Sequence, residues 1–211
     1  MRAQTIISWL NETEVEIAAQ SDYLTQLDAA IGDGDHGTNM NRGFAAVGRV
    51  LAEQAEPAAP GRLLILAGKT LISTVGGASG PLWGTALRRA GRALGDVDTF
   101  DGQQLAEALD AAIAGVVELG AATPGDKTMI DALVPASEAL HRALDAGQPI
   151  AQALAAAVGA AGEGAESTVP LQARKGRASY LGERSIGHLD PGAASSVIIL
   201  TALARVVDRE Q

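Results

Sequence analysis

Three aspartates fall within eight residues of the segment Leu27-Asp28-Ala29-Ala30-Ile31-Gly32-Asp33-Gly34-Asp35-His36-Gly37-Thr38-Asn39. The glycines let the backbone turn sharply, so carboxylates from both sides of the turn can converge. Converging carboxylates repel one another unless a cation neutralises them, and hard oxygen donors suit magnesium or calcium. Other motif readings fit less well. Gly32-x-Gly34-x-x-Gly37 has the form of a dinucleotide fingerprint, but no strand pattern precedes it and two aspartates would face the pyrophosphate. Neither Asp28 nor Asp33 starts an EF-hand spacing of glycine and glutamate. Magnesium bridging to a phosphate is the better chemistry; a solvated acidic turn that caps helices is the plainer alternative. Thr38 and Asn39 can open the next helix, whose first N–H groups favour phosphate. His36 reads as a phosphate contact more readily than as a metal ligand.

Two further segments suit anions. Thr74-Val75-Gly76-Gly77-Ala78-Ser79-Gly80-Pro81 can wrap a backbone around phosphate, with Ser79 placed to cap the following helix. By itself this reads as an ordinary interhelical turn; beside the acidic turn it reads as a phosphate element. The stretch from Pro170 to Asp190 has no helical pattern and is long for a loop in a compact domain, a length often found in functional lids. Arg174, Lys175, Arg177 and Arg184 supply four of the sixteen basic residues of the chain within it. Arg177 is the candidate for contact with phosphate or with the charge of a phosphoryl group in transit. A solvated basic loop is the plainer reading.

These residues need a scaffold, and composition says which. The chain has 211 residues, 47% hydrophobic, with aromatics at only 3%. Abundant alanine and sparse β-branched and aromatic residues favour helices packed closely through small side chains. Apolar residues at helical spacing, as in Leu105, Leu109, Ile113, Val116 and Leu119, support about eight helices. They are expected near 3–29, 38–55, 60–75, 80–94, 101–120, 128–145, 148–168 and 191–208. Asp101 and Asp190 are candidate caps, and Pro191 suits a first helical position. Thr128-Met129-Ile130-Asp131 resembles a capping box, and Pro135 should kink the helix that follows or mark its first turn. Ala55–Gly61 reads as a connector. One domain over residues 1–211 is expected.

Composition also excludes. The net charge is −9, so the basic bias of a nucleic-acid binder is absent. There is no cysteine, which removes disulfides, thiolate nucleophiles and Cys-based zinc sites. The N-terminal apolar stretch is too short and interrupted for a signal peptide, and no uninterrupted apolar run approaches a membrane span. A cytosolic protein without membrane or nucleic-acid partners is expected.

Taken together, Leu27–Asn41, Thr74–Pro81, Pro124-Gly125-Asp126-Lys127-Thr128-Met129-Ile130-Asp131 and Arg174–Gly192 resemble, in order and over nearly the whole chain, the nucleotide-binding L subunits of bacterial dihydroxyacetone kinases. The resemblance implies an all-α, eight-helix antiparallel barrel with the nucleotide at one end. It implies that Asp28, Asp33 and Asp35 hold two Mg2+ ions on ADP or ATP. It implies nucleotide contacts from His36, Gly37, Thr38 and Asn39, from Gly77, Ala78 and Ser79, from Gly120, Met129 and Arg177, and from Asp190, Pro191 and Gly192. Leu82 and Met129 could flank the adenine. It further implies a kinase subunit that works with a dihydroxyacetone-binding K subunit and a phosphohistidine-carrying M subunit, with a transcription regulator and a second copy of the chain as further partners. An ATP-exchanging kinase subunit for another small ketose, or an ADP-dependent regulatory module, would carry the same site residues.

Overall fold

The computed structural model describes residues 1–54 and 58–210. Ala55, Glu56 and Pro57 of the expected connector lie outside the described residues. The described residues form α1 (Ala3–Ala19), α2 (Ser21–Ile31), α3 (His36–Ala52), α4 (Pro60–Thr74), α5 (Ser79–Leu94), α6 (Gly102–Gly120), α7 (Ile130–Asp145), α8 (Ile150–Ser167) and α9 (Pro191–Arg209). A 3-10 segment runs over Arg177–Ser185, and no strand is present among the described residues.

The caps explain several boundaries. Asp101 Oδ1 accepts from the Gln104 N–H at 2.9 Å and Gln104 Oε1 accepts from the Asp101 N–H at 3.0 Å, a reciprocal box at the start of α6. Asp190 Oδ2 accepts from the Ala193 N–H at 2.8 Å and Pro191 opens α9. Asp131 reaches back to the Thr128 N–H at 2.7 Å, although α7 itself starts at Ile130, two residues later than expected.

Three expectations need correction. The single helix expected over 3–29 is two, because Gln20 leaves helical geometry (φ −107°, ψ 11°). Just beyond the break, α3 presses on α2: a Cβ on Gly37 would lie 1.9 Å from the Ser21 carbonyl oxygen. The 170–190 loop holds 3-10 turns, broken at Gly182 (φ 57°, ψ −129°). Pro135 lies inside α7 rather than in its first turn. Proline has no N–H to bond the Asp131 carbonyl four residues back. Gly164 of α8 sits against that same carbonyl, with a Cβ position only 2.1 Å from its oxygen.

Successive helices pack in a closed order. α1 lies on α3, α3 on α4, and so on through α8 to α9, which returns to α1, while α2 leans on α3. α4 and α5 touch backbone to backbone, since a Cβ on Gly61 would fall 2.4 Å from the Gly91 oxygen and one on Gly68 2.5 Å from the Gly84 oxygen. This contact fixes the Gly76–Gly77 turn between them. α9 is long and apolar enough by composition to cross a membrane, but most of that stretch is buried in the core against α1 and α8. Trp9 of α1 donates its indole N–H to the Ile199 carbonyl at 2.9 Å, so even the largest side chain in that contact has a polar partner.

Candidate functional site

The acidic turn is built between the end of α2 and the start of α3. Asp28, on the last turn of α2, is buried. Its Oδ2 accepts from the N–H groups of Asp35 (2.8 Å) and His36 (3.1 Å). Asp28 therefore caps α3 from the preceding helix, and α3 begins at His36 rather than at Thr38. Gly32 makes room for this carboxylate: a Cβ there would lie 2.0 Å from Asp28 Oδ1. Gly34 takes a left-handed conformation, φ 72°. The turn brings one carboxylate oxygen from each of Asp28, Asp33 and Asp35 within 4.8 Å of one another. Three hard donors so close, two of them on exposed residues, fit a magnesium site. Arg177 Nη2 reaches Asp33 Oδ2 at 3.1 Å across the opening.

His36 forms the wall beside the acidic turn. Its Nδ1 lies 3.0 Å from Ser79 Oγ and its Nε2 lies 3.0 Å from Ser195 Oγ. Ser195 donates its proton to the Gly192 carbonyl, so it accepts from His36 Nε2–H, and Ser79 donates to Nδ1. Burial lowers the His36 pKa from its ordinary value, and Asp28 and Asp35 only partly offset this. Both ring nitrogens thus have protein partners. Ser79 does not cap α5 with its side chain as expected; it is spent on His36. These bonds tie together α3, the glycine turn and the start of α9.

The basic loop closes the other side. Asp190 is buried at the edge of the cleft, and burial pushes its carboxyl up to about 7, against the opposing pull of the Ala193 N–H and the Lys127 ammonium. Lys127 is itself buried, and its Nζ donates to the carbonyls of Thr168 and His188. Burial pulls its pKa down, with Asp190 and Asp131 acting to raise it.

All these parts face one cleft of about 570 Å³. It is larger than the grooves beside Ala143 (about 420 Å³) and Leu63 (about 490 Å³), and the triple-carboxylate cluster opens into it. Of the residues read from sequence, Asp28, Asp33, Asp35, His36, Gly77, Ala78, Ser79, Met129, Arg177, Asp190, Pro191 and Gly192 line it, as does Leu82. The others stand beside it. Gly37 packs on α2, Thr38 is exposed, and Asn39 is buried, accepting from Arg42 Nη2 at 2.7 Å behind the Gly76 turn. Gly120 ends α6, with its Cβ position 3.4 Å from Leu82 Cδ2. Sequence reasoning missed Lys127, Ser195 and Trp83. Lys127 stands inside the Gly125-Asp126-Lys127-Thr128 stretch, whereas nothing local marks Ser195 or Trp83.

Comparisons with known proteins identify the family. The family described as DAK2 domain matches residues 30–205. The chain is 46% identical over 199 residues to the ADP-binding subunit DhaL of the PEP-dependent dihydroxyacetone kinase of Escherichia coli (strain K12), covering 94% of each. It is 42% identical to the corresponding DhaL of kinase 1 of Listeria innocua, covering 93% of each. It is 39% identical to the L-erythrulose 1-kinase of Mycolicibacterium smegmatis, covering 98% of this chain and 36% of that one. Among solved structures it resembles the dihydroxyacetone kinase of C. freundii in its native form, with TM-score 0.73 and 29% identity over 95% of this chain. The same enzyme with AMP-PNP and Mg2+ matches with TM-score 0.72 and 28% identity. The chain spans about a third of those solved kinase chains, 34% and 33% respectively. The extent of the family match and these identities show that the chain belongs to the DAK2-domain family.

Proposed function

We propose that this chain is the nucleotide-holding subunit of a dihydroxyacetone kinase, keeping Mg-ADP or Mg-ATP as a phosphoryl carrier for a triose bound on a separate chain. The single observation that carries the reading is the convergence of Asp28, Asp33 and Asp35 opposite Arg177 in one cleft. Full-length relatives named as ADP-binding subunits support it, as does a structural neighbour solved with AMP-PNP and Mg2+.

In this reading the three aspartates hold two magnesium ions, which neutralise phosphate charge when bound. The Gly77–Ser79 turn offers backbone N–H groups to phosphate, and the Asp190–Gly192 turn closes the far wall. Leu82 and Met129 flank the base, with Gly120 behind Leu82. The first turn of α3, His36–Asn39, borders the phosphates. Arg177 is the catalytic candidate, stabilising phosphoryl charge in transit. No general base is assigned; the chain works by positioning and charge.

The same reading takes residues 1–211 as one domain, an antiparallel barrel of eight helices with the nucleotide at one end. The closed packing order from α1 through α9 supports that arrangement. It places the protein in the cytoplasm with a dihydroxyacetone-binding K subunit and a phosphohistidine-carrying M subunit, which recharges ADP. A transcription regulator and a second copy of the chain are further partners. A second reading, ATP exchange for a four-carbon ketose, draws support from the matches to erythrulose kinases at 39% and 37% identity.

Native mass spectrometry of the purified protein tests the proposal. Retained ADP with magnesium is the expected result. Protein that emerges empty, and that takes up no Mg-ADP in calorimetry, refutes it.

A further inference from the structure

We propose that Lys127 is a positioning residue. Its buried ammonium clasps both ends of the loop that carries Arg177 and so sets where that guanidinium stands over the carboxylates. The proposal rests on the nucleotide reading above.

Lys127 is 1% exposed and its backbone is left-handed, φ 62°. An L residue holds such a conformation only where its surroundings over-determine it. A buried ammonium must also give its protons to acceptors. The acceptors chosen here are informative. Nζ donates to the Thr168 carbonyl at 2.5 Å, where the loop leaves α8, and to the His188 carbonyl, where it returns. The same neck is stitched by the Asp190 N–H to Thr168 Oγ1 (3.0 Å) and by the Gly187 N–H to the Val169 carbonyl (2.8 Å). The loop also docks beside Lys127 itself, through the Arg174 N–H to the Asp126 carbonyl at 3.1 Å. Three residues further on, Arg177 reaches Asp33. A continuous path of hydrogen bonds and backbone thus runs from the Lys127 ammonium to the acidic turn. A methionine could fill the space of the aliphatic stem, but it could not bond two carbonyls at once.

The test uses the intact chain with Lys127→Met and Lys127→Arg. Thr168→Val cuts the same neck without touching the ammonium and replaces Lys127→Met if that variant fails to fold. Amide hydrogen exchange of the nucleotide-free protein reads the loop; calorimetry reads Mg-ADP affinity. Lys127→Met should speed exchange across 169–190 while the core helices keep wild-type protection, and should weaken Mg-ADP binding roughly tenfold. Lys127→Arg should restore part of both. Added to Arg177→Ala, Lys127→Met should cost little further affinity, because the group it positions is already gone. Unchanged exchange at 169–190 overturns the clasp. Faster exchange with unchanged affinity, or additive losses in the double variant, overturns the positioning role. Wild-type protein that takes up no Mg-ADP overturns the nucleotide reading and with it the positioning role, and exchange alone then decides the clasp.

Discussion

Replacing Asp33 by alanine should make the nucleotide-free protein more stable and the nucleotide-loaded protein less stable. Oxygens of the three carboxylates lie within 4.8 Å of one another, and two like charges at that distance in water repel by about 0.9 kcal/mol, from 332/(80 × 4.8). The dielectric of water is the right choice because the Asp33 side chain is 38% exposed. Removing it relieves two such repulsions, about 1.7 kcal/mol together. What it gives up is small. Its partner Arg177 is 67% exposed, and such surface pairs contribute about 0.5 kcal/mol. The net gain is about 1 kcal/mol, or roughly 2–4 °C in Tm for a chain of this size. With Mg-ADP at a hundred times its Kd, wild type gains about 2.7 kcal/mol, and the variant gains none. Urea titrations in EDTA and in saturating Mg-ADP would show the two proteins exchanging order. A nucleotide-free variant destabilised by more than about 1 kcal/mol refutes the repulsion argument. A variant still stabilised by Mg-ADP refutes the ligand role. Asp28→Ala is the contrast. Asp28 also accepts two N–H groups at the start of α3, so its loss forfeits a cap worth about 1–2 kcal/mol and offsets any relief.

Two more perturbations follow from the geometry. Gly32→Ala would drive a methyl to within 2.0 Å of Asp28 Oδ1, displacing that carboxylate without removing it; Mg-ADP affinity should fall about 10- to 100-fold by calorimetry, and unchanged affinity would mean that Asp28 does not bind the cation. Asp190 has its carboxyl raised by burial from 3.8 to about 7. Between those values the folded state holds a proton that the unfolded state has lost, so its contribution to stability falls as pH rises from about 4 to about 7. Asp190→Asn keeps an acceptor for the Ala193 N–H and should flatten that decline in urea midpoints measured from pH 4 to 8; parallel profiles would show that Asp190 does not titrate in this window.

Much of the fold was legible because its signals are local. Asp101, Asp190 and Pro191 mark helix starts through bonds made within three residues. The alanine-rich periodic segments announce helices through spacing alone. The break at Gln20 was not legible. No glycine or proline stands there, and the contact beside it comes from Gly37, sixteen positions along the chain. Ser79 has the look of a cap, but a distant histidine takes its hydroxyl. Lys127 looks like a surface lysine in a polar stretch, and its burial depends on Thr168 and His188, far along the sequence.

The sequence by itself determined the class of chemistry. Three aspartates around glycines imply a hard cation, and an arginine-bearing loop in an acidic chain implies an anion, because both follow from side-chain type and short-range reach. Tertiary structure alone decided which of those groups meet. It put Arg177 against Asp33, wedged His36 between Ser79 and Ser195, and buried Asp190 beside Lys127. Such pairings link residues more than forty positions apart, and their distances depend on how the helices pack, which no local spacing encodes.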